Sequence, residues 1–172
     1  MNDIEVEDNV LSSYSFDKFQ TTMLSTGFSW FLCPEVVSPD ILNCNELDNY
    51  QLCHHFMRQS ESDSFPVKSH WLELLTPIVK HMNVEGWKRI KGNLNPRTSS
   101  IIKHGFHVDY QDKRVKTSIF YVNSNDGYTE FQDGTRIESV ANRLVTFPAY
   151  LPHTGTTCTD KSFRVVINFN YF

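Results

Sequence analysis

The run Phe163-Arg164-Val165-Val166-Ile167-Asn168-Phe169-Asn170-Tyr171-Phe172 alternates with a period of two. Successive strand side chains point to opposite faces, so Phe163, Val165, Ile167, Phe169 and Tyr171 share one face and Arg164, Val166, Asn168 and Asn170 the other. The first face suits burial under a helix, the second a polar cavity. An arginine among apolar β-formers has two readings: solvated on an open face, or buried against a carboxylate that its planar fork matches. Taken alone, Arg164 favours the solvated one.

Working outward, the sequence after Gly86 is strand-rich throughout. Segments with strand character run from Trp87 to Leu94, Phe106 to Tyr110, Val115 to Asn123, Tyr128 to Phe131, Thr135 to Ser139 and Arg143 to Phe147, with turn signals at Asn125-Asp126-Gly127 and Asp133-Gly134. With the last run they predict a mainly β fold, a sandwich or jelly roll. Ahead of them, Trp71, Leu72, Leu74, Leu75, Ile78, Val79 and Met82 recur at helical spacing and predict a helix from Lys68 to Met82 that covers a sheet. Pro77 should kink or divide it. Further upstream, Phe28 to Leu32 and Tyr50 to Met57 read as strands, with Leu52, His54 and Phe56 on one face. Residues 59–64 read as a loop closed by Pro66, and residues 1–13 as a loose polar arm.

The chain has 172 residues, enough for one domain with a sizeable core and too few for two ordinary ones. A net charge of −4 and no dense basic run argue against a nucleic-acid or anionic-membrane surface. Met1 to Val10 is acidic and polar where a secretory signal is basic and then apolar, and no apolar run approaches membrane-spanning length. Cys33, Cys44, Cys53 and Cys158 form no Cys-x-x-Cys pair and suit a reducing compartment as inert thiols. The expectation is a soluble, intracellular, cytoplasmic protein.

Within Gly105-Phe106-His107-Val108-Asp109-Tyr110, His107 and Asp109 would project from one face of a strand, roughly 6.6 Å apart. Two imidazoles and a carboxylate make the facial donor set of a non-heme Fe(II) centre. The spacing is weak by itself, since roughly 0.8 such His-x-acid matches arise by chance in a chain of this composition. His153, in Leu151-Pro152-His153-Thr154-Gly155, is the second imidazole candidate; alone it reads as a surface or hydrogen-bonded histidine. His104 lies at an odd offset from His107, which points it to the other strand face, behind the site or at the surface. His54, His55, His70 and His81 carry no assigned role, and Cys158 reads as core.

Taken together and in order, these pieces resemble the Fe(II)/2-oxoglutarate-dependent dioxygenases, in particular their prolyl 4-hydroxylase-like branch. The resemblance rests on His107-x-Asp109, His153 and Arg164 eleven residues later. It also rests on Ile119-Phe120-Tyr121-Val122-Asn123, Gly127-Tyr128-Thr129-Glu130-Phe131 and Asn142-Arg143-Leu144-Val145-Thr146-Phe147. It covers about residues 86 to 172, with residues 14–85 as helix-and-strand support. It implies a double-stranded β-helix, a jelly roll of cupin-like form with N-terminal supporting helices, in one oxygenase domain.

The resemblance further implies that His107, Asp109 and His153 hold Fe(II) and that Arg164 binds the distal carboxylate of 2-oxoglutarate. On the same analogy Tyr121 donates to that carboxylate or is a packed core tyrosine, and Asn168 lines the pocket or satisfies a backbone group. Asn95 stands where the branch often has a tyrosine facing the cosubstrate, and Arg164 where it often has lysine. The implied reaction uses O2 to hydroxylate a substrate while 2-oxoglutarate becomes succinate and CO2. Analogy favours a prolyl residue in a peptide over a small molecule. The turn Gln111-Asp112-Lys113-Arg114 either borders the entrance or is simply solvated. The rival reading is a cupin-type metal-binding barrel without oxygenase activity; it does not call for Arg164 in that register.

Overall fold

The computed structural model describes residues 3–59, 66–84 and 86–172. In chain order they form strand β1 (Glu5–Asp8), helix α1 (Ser13–Met23), β2 (Phe31–Cys33), β3 (Gln51–Arg58), β4 (Val67–Lys68) and helix α2 (Thr76–Met82). There follow β5 (Trp87–Pro96), β6 (Lys116–Tyr121), β7 (Tyr128–Phe131), β8 (Arg136–Glu138), β9 (Arg143–Pro148), β10 (His153–Gly155) and β11 (Phe163–Tyr171). Of the loop expected at 59–64, all but residue 59 lies outside the described residues.

The larger, antiparallel sheet has the order β1-β9-β6-β11-β5-β3-β2, with β4 added beside β3; the smaller is β10-β7-β8. Isolated bridges Lys103↔Thr156 and His107↔His153 lay the 103–107 segment along β10 as a rudimentary fourth strand of the smaller sheet. From β5 onward the chain therefore shuttles between two facing sheets. This is the jelly-roll, double-stranded β-helix path, and β1, β2, β3 and β4 widen its larger sheet.

Two apolar layers hold it. α1 and α2 pack Phe16, Phe19, Met23 and Ile78 on the outer face of the larger sheet, against Phe120, Val165, Ile167, Phe169 and Tyr171. Phe16 and Phe19 meet the Phe120 ring edge-on at 6.2 and 5.7 Å, and burying each such ring contributes ~2 kcal/mol. Between the sheets lie Ile119, Tyr121, Phe131, Val145, Phe147 and Val166. The alternation of β11 thus separates as its sequence indicates, odd residues under the helices and even ones toward the interior.

The expectation of a loose arm at residues 1–13 is corrected for its described part, residues 3–13. Glu5–Asp8 pairs with Arg143 to Thr146 of β9. All four of its side chains are exposed, so it carries no hydrophobic pattern to read. Backbone pairing holds it, with Arg143 donating through Nε and Nη2 to the two Asp8 carboxylate oxygens at 2.6 and 2.9 Å. Ser12 then caps α1 by accepting from Ser15 N. The helix expected over 68–82 divides: a 3-10 turn, His70–Leu75, precedes α2. Pro77 falls in the first turn of α2, where a missing N–H costs nothing. Only Phe31–Cys33 of the Phe28 run is strand, because Phe28 turns into the core while Phe31 and Leu32 stay exposed on the edge.

Candidate metal centre

Ligand atoms of His107, Asp109 and His153 all lie within 4.8 Å of one another. Phe106 to Tyr110 is not the regular strand that the spacing predicts. Backbone contacts hold it instead: His107 N donates to His153 O at 3.0 Å, His153 N to His107 O at 2.9 Å, and Asp109 N to Ala149 O at 3.1 Å. Gly105 makes this path possible, since its φ is 151° and a Cβ there would stand 2.1 Å from the Ile41 carbonyl oxygen.

Each donor is oriented from behind. His153 is 2 % exposed and donates its Nδ1 proton to Leu151 O at 2.9 Å, which leaves Nε2 as a lone-pair donor; that atom is buried without a partner. His107 turns Nδ1 toward Gly105 O at 3.4 Å, and its ring lies 4.7 Å from that of His153. Asp109 accepts from Arg89 Nη2 at 2.8 Å on Oδ1, and from Thr117 Oγ1 at 2.8 Å and Asn170 Nδ2 at 3.0 Å on Oδ2. Burial, the largest single influence, pushes its carboxyl up, but Arg89, His153 and the two hydrogen bonds bring it down to about 2. Burial and then the neighbouring His107 push His153 down to about 4. At neutral pH His153 is therefore a neutral imidazole and Asp109 an ionised carboxylate, the states a metal requires. The orphaned Nε2 and this donor set fit a divalent iron ion.

The three donors line a cavity of about 220 Å³. Arg164 lines it too, at 2 % exposure. Its Nε donates to Ser139 Oγ at 2.8 Å, Nη2 to Thr129 Oγ1 at 3.2 Å and Nη1 to Thr156 O at 3.5 Å, while the Tyr121 ring lies 5.6 Å beneath it. No ion pair among the described residues includes it. Gly127 packs against its stem, as a Cβ there would come within 2.7 Å of Arg164 Cδ. The solvated reading of this arginine is thereby excluded, and among the described residues no carboxylate pairs with it.

Asn168 and Asn95 line the cavity, and Asn168 Oδ1 is buried without a partner. Tyr121 is fully buried, donates its hydroxyl to Thr129 Oγ1 at 2.8 Å, and belongs to the core between the sheets. His104 is neither superficial nor turned away: it is 2 % exposed, lines the cavity, and leaves Nε2 unpartnered. The turn Gln111 to Arg114 is a solvated one, with Arg114 closed on Asp112 at 2.7 Å. Cys158 is buried, and all four cysteines are free thiols. Sequence reasoning passed over Arg89, Thr117, Asn170 and Thr129, which hold Asp109 and Arg164. The period-two row Arg89, Lys91, Asn93, Asn95 on β5 was the available signal.

No family model and no curated protein matches the sequence. Solved structures do match its shape. A Trichoplax adhaerens prolyl hydroxylase in complex with a hypoxia-inducible-factor oxygen-degradation-domain peptide aligns over 100 % of this chain and 84 % of its own, with TM-score 0.67 and 15 % identity. The viral collagen prolyl hydroxylase of Paramecium bursaria Chlorella virus-1, in its 2-oxoglutarate complex, aligns over 97 % and 94 %, with TM-score 0.60 and 14 % identity. The chain has the fold of the Fe(II)/2-oxoglutarate oxygenases. This oxygenase fold also serves a non-heme alpha-ketoglutarate-dependent epimerase, SnoN from nogalamycin biosynthesis, which aligns over 98 % and 76 % with TM-score 0.64 and 8 % identity. In the oxygenase fold of this chain, the rudimentary strand and β10 bring the candidate triad together, and β11 supplies the buried arginine. No helix of the described residues is long and apolar enough to cross a membrane.

Proposed function

We propose that this chain is an Fe(II)- and 2-oxoglutarate-dependent dioxygenase that hydroxylates its substrate, a prolyl residue in a peptide being the favoured class. One observation carries the reading: a buried guanidinium with no carboxylate partner among the described residues lines the same cavity as two imidazoles and a carboxylate. Leaving such a buried cation unmatched is costly, and a carboxylate ligand relieves the cost. His107, Asp109 and His153 would hold the iron. Iron with 2-oxoglutarate and O2 supplies the oxidising power, converting the cosubstrate to succinate and CO2.

The chain's own residues bind and orient. Arg164 takes the distal carboxylate with two charge-assisted bonds, discriminating against monocarboxylates. Ser139, Thr129 and the Tyr121 ring fix the plane of its fork. Tyr121 acts through Thr129 rather than on the cosubstrate directly, and Asn168 faces the ligand space with a free acceptor. Arg89, Thr117 and Asn170 keep Asp109 ionised. Val36, Val108, Ile119 and Val166 make the apolar part of the wall. A peptide substrate is favoured because the Trichoplax prolyl hydroxylase of this fold holds one. Residues 86–172 would form the catalytic β-helix and residues 14–85 its support in one domain, and the free thiols suit an intracellular, reducing setting.

The test is anaerobic addition of Fe(II) and 2-oxoglutarate, which should produce a visible metal-to-ligand charge-transfer band, followed by succinate on admission of air. Metal binding without a band or succinate would favour the cupin-type reading. Arg164 is the observation against that reading.

A further inference from the structure

β5 places Arg89, Lys91, Asn93 and Asn95 on its cavity face, while Ile90 enters the core beneath the helices and Leu94 packs against it. Arg89 is matched by Asp109. Lys91 lines the cavity, and no ion pair or side-chain hydrogen bond among the described residues involves it. Its neighbours are amides left incomplete. Asn168 stands opposite it on β11 and Asn93 follows it on the same face, and both have a buried Oδ1 with no donor. His104, 2 % exposed, brings a further unpartnered nitrogen to the same cavity.

The free ammonium is not a second seat for the cosubstrate. Arg164 is opposite Asn95 in the register and Lys91 opposite Asn168, so the backbone positions that carry the two cations are four residues apart along the sheet, roughly 13 Å. Charge leads to the same place. In the loaded cavity Arg89, Lys91, Arg164 and a divalent iron carry more positive charge than Asp109 and the two carboxylates of 2-oxoglutarate balance, and Lys91 is the cation left without an anion. On the far side of β5, His55 is opposite Lys91 and Arg58 opposite Arg89.

We infer that Lys91, Asn93 and Asn168 form a substrate subsite for an acidic peptide, with a carboxylate or phosphate on Lys91 and backbone N–H groups donating to the two amide oxygens. This rests on the oxygenase reading and narrows it: the oxidised residue has an acidic neighbour.

The test uses fluorescein-labelled peptides of one sequence around a central proline, with Asp, Glu or phosphoserine beside it, or Asn, Gln or serine in their place. They are titrated by anisotropy, without oxygen, into the full chain with Fe(II) and 2-oxoglutarate. The acidic peptides should bind at least tenfold tighter than their neutral partners. The ratio of Asp and Glu to phosphoserine tells which acid the site takes. Lys91→Gln should remove the preference, Lys91→Arg retain it, and Lys91→Glu turn it toward a lysine-bearing peptide, with circular dichroism confirming that each variant folds. Equal affinities, a preference that survives Lys91→Gln, or no binding by any peptide overturns the subsite. The wild-type charge-transfer band reports separately: a band without acidic preference overturns the subsite alone, and acidic preference without a band overturns the oxygenase reading alone.

Discussion

Arg89 Nη2 donates to Asp109 Oδ1 at 2.8 Å and so ties the centre of the larger sheet to the loop that carries two of the three metal donors. The Asp109 side chain is 4 % exposed and that of Arg89 29 %, so the pair is largely out of water and each partner depends on the other. Arg89→Gln should lower the stability of the metal-free protein by about 2 kcal/mol at pH 7. A bound divalent cation neutralises Asp109 in its place, so the gap in melting temperature between metal-loaded and metal-free protein should widen. Thermal melts with and without Mn(II) measure this, and an equal loss in both states would show that Arg89 does not stand in for the metal.

Acid should weaken the metal-free fold in two stages. His153 is held at about 4 against an ordinary value of 6.5. Between those values the unfolded chain binds a proton that the folded one refuses, so its contribution is complete above pH 6.5 and lost as pH falls toward 4, about 3 kcal/mol in all. Asp109 is held at about 2 against 3.8; its contribution is present above 3.8 and lost as pH falls through 2. Urea midpoints across this range should trace both stages, and His153→Gln should flatten the upper one.

Arg164→Leu should raise the dissociation constant for 2-oxoglutarate about a hundredfold, the ~3 kcal/mol of two charge-assisted hydrogen bonds. Fe(II) affinity should change by less than about threefold, since no donor of the triad touches the guanidinium. Titrating cosubstrate and metal separately decides the matter, and a parallel loss of both would remove Arg164 from its assigned place.

Gly127→Ala probes the same arginine without touching its charge. The new methyl would meet Thr157 O at 2.5 Å and Arg164 Cδ at 2.7 Å. Relieving that overlap should cost about 1–3 kcal/mol and displace the guanidinium. 2-Oxoglutarate binding should fall about tenfold while metal binding holds. Unchanged cosubstrate affinity would mean that Arg164 tolerates a shifted stem.

Asn142 should prove a structural keystone of the N-terminal arm. Its φ is 64°, and its side chain accepts from Leu11 N at 2.9 Å and donates to Leu11 O at 2.8 Å. Asn142→Ala loses both bonds and leaves in the left-handed conformation a residue that tolerates it less well than asparagine, costing about 2–3 kcal/mol. Asn142→Gly should lose less because glycine accepts that φ. Chemical denaturation of the pair separates the two contributions.

The alternation of Phe163 to Tyr171 is readable because a strand between a helical layer and a cavity must alternate, and both faces behave as that pattern demands. The helix stripe from Trp71 to Met82 is readable for the same reason, including its division near Pro77. β1 is not, because all four of its side chains face solvent and backbone hydrogen bonds leave no mark in composition. α1 is a different miss: Ser12 with Phe16, Phe19 and Met23 spells a capped amphipathic turn that was there to be read. His104 was turned the wrong way by treating Phe106 to Tyr110 as a regular strand, whereas Gly105 breaks the alternation just before His107.

By itself the sequence determined the residue types: two histidines, an aspartate and an arginine in an order that resembles one family, on strands whose alternation is dictated by which faces are buried. Only the tertiary structure decided their states. Burial without a carboxylate partner among the described residues separates Arg164 from a solvated arginine, and the hydrogen bond from His153 Nδ1 to Leu151 O leaves Nε2 free to bind. Lys91 likewise looks like any surface lysine until the register sets it beside two unsatisfied amides. Desolvation and hydrogen-bond completion depend on partners far apart in the chain, and local pattern does not encode them.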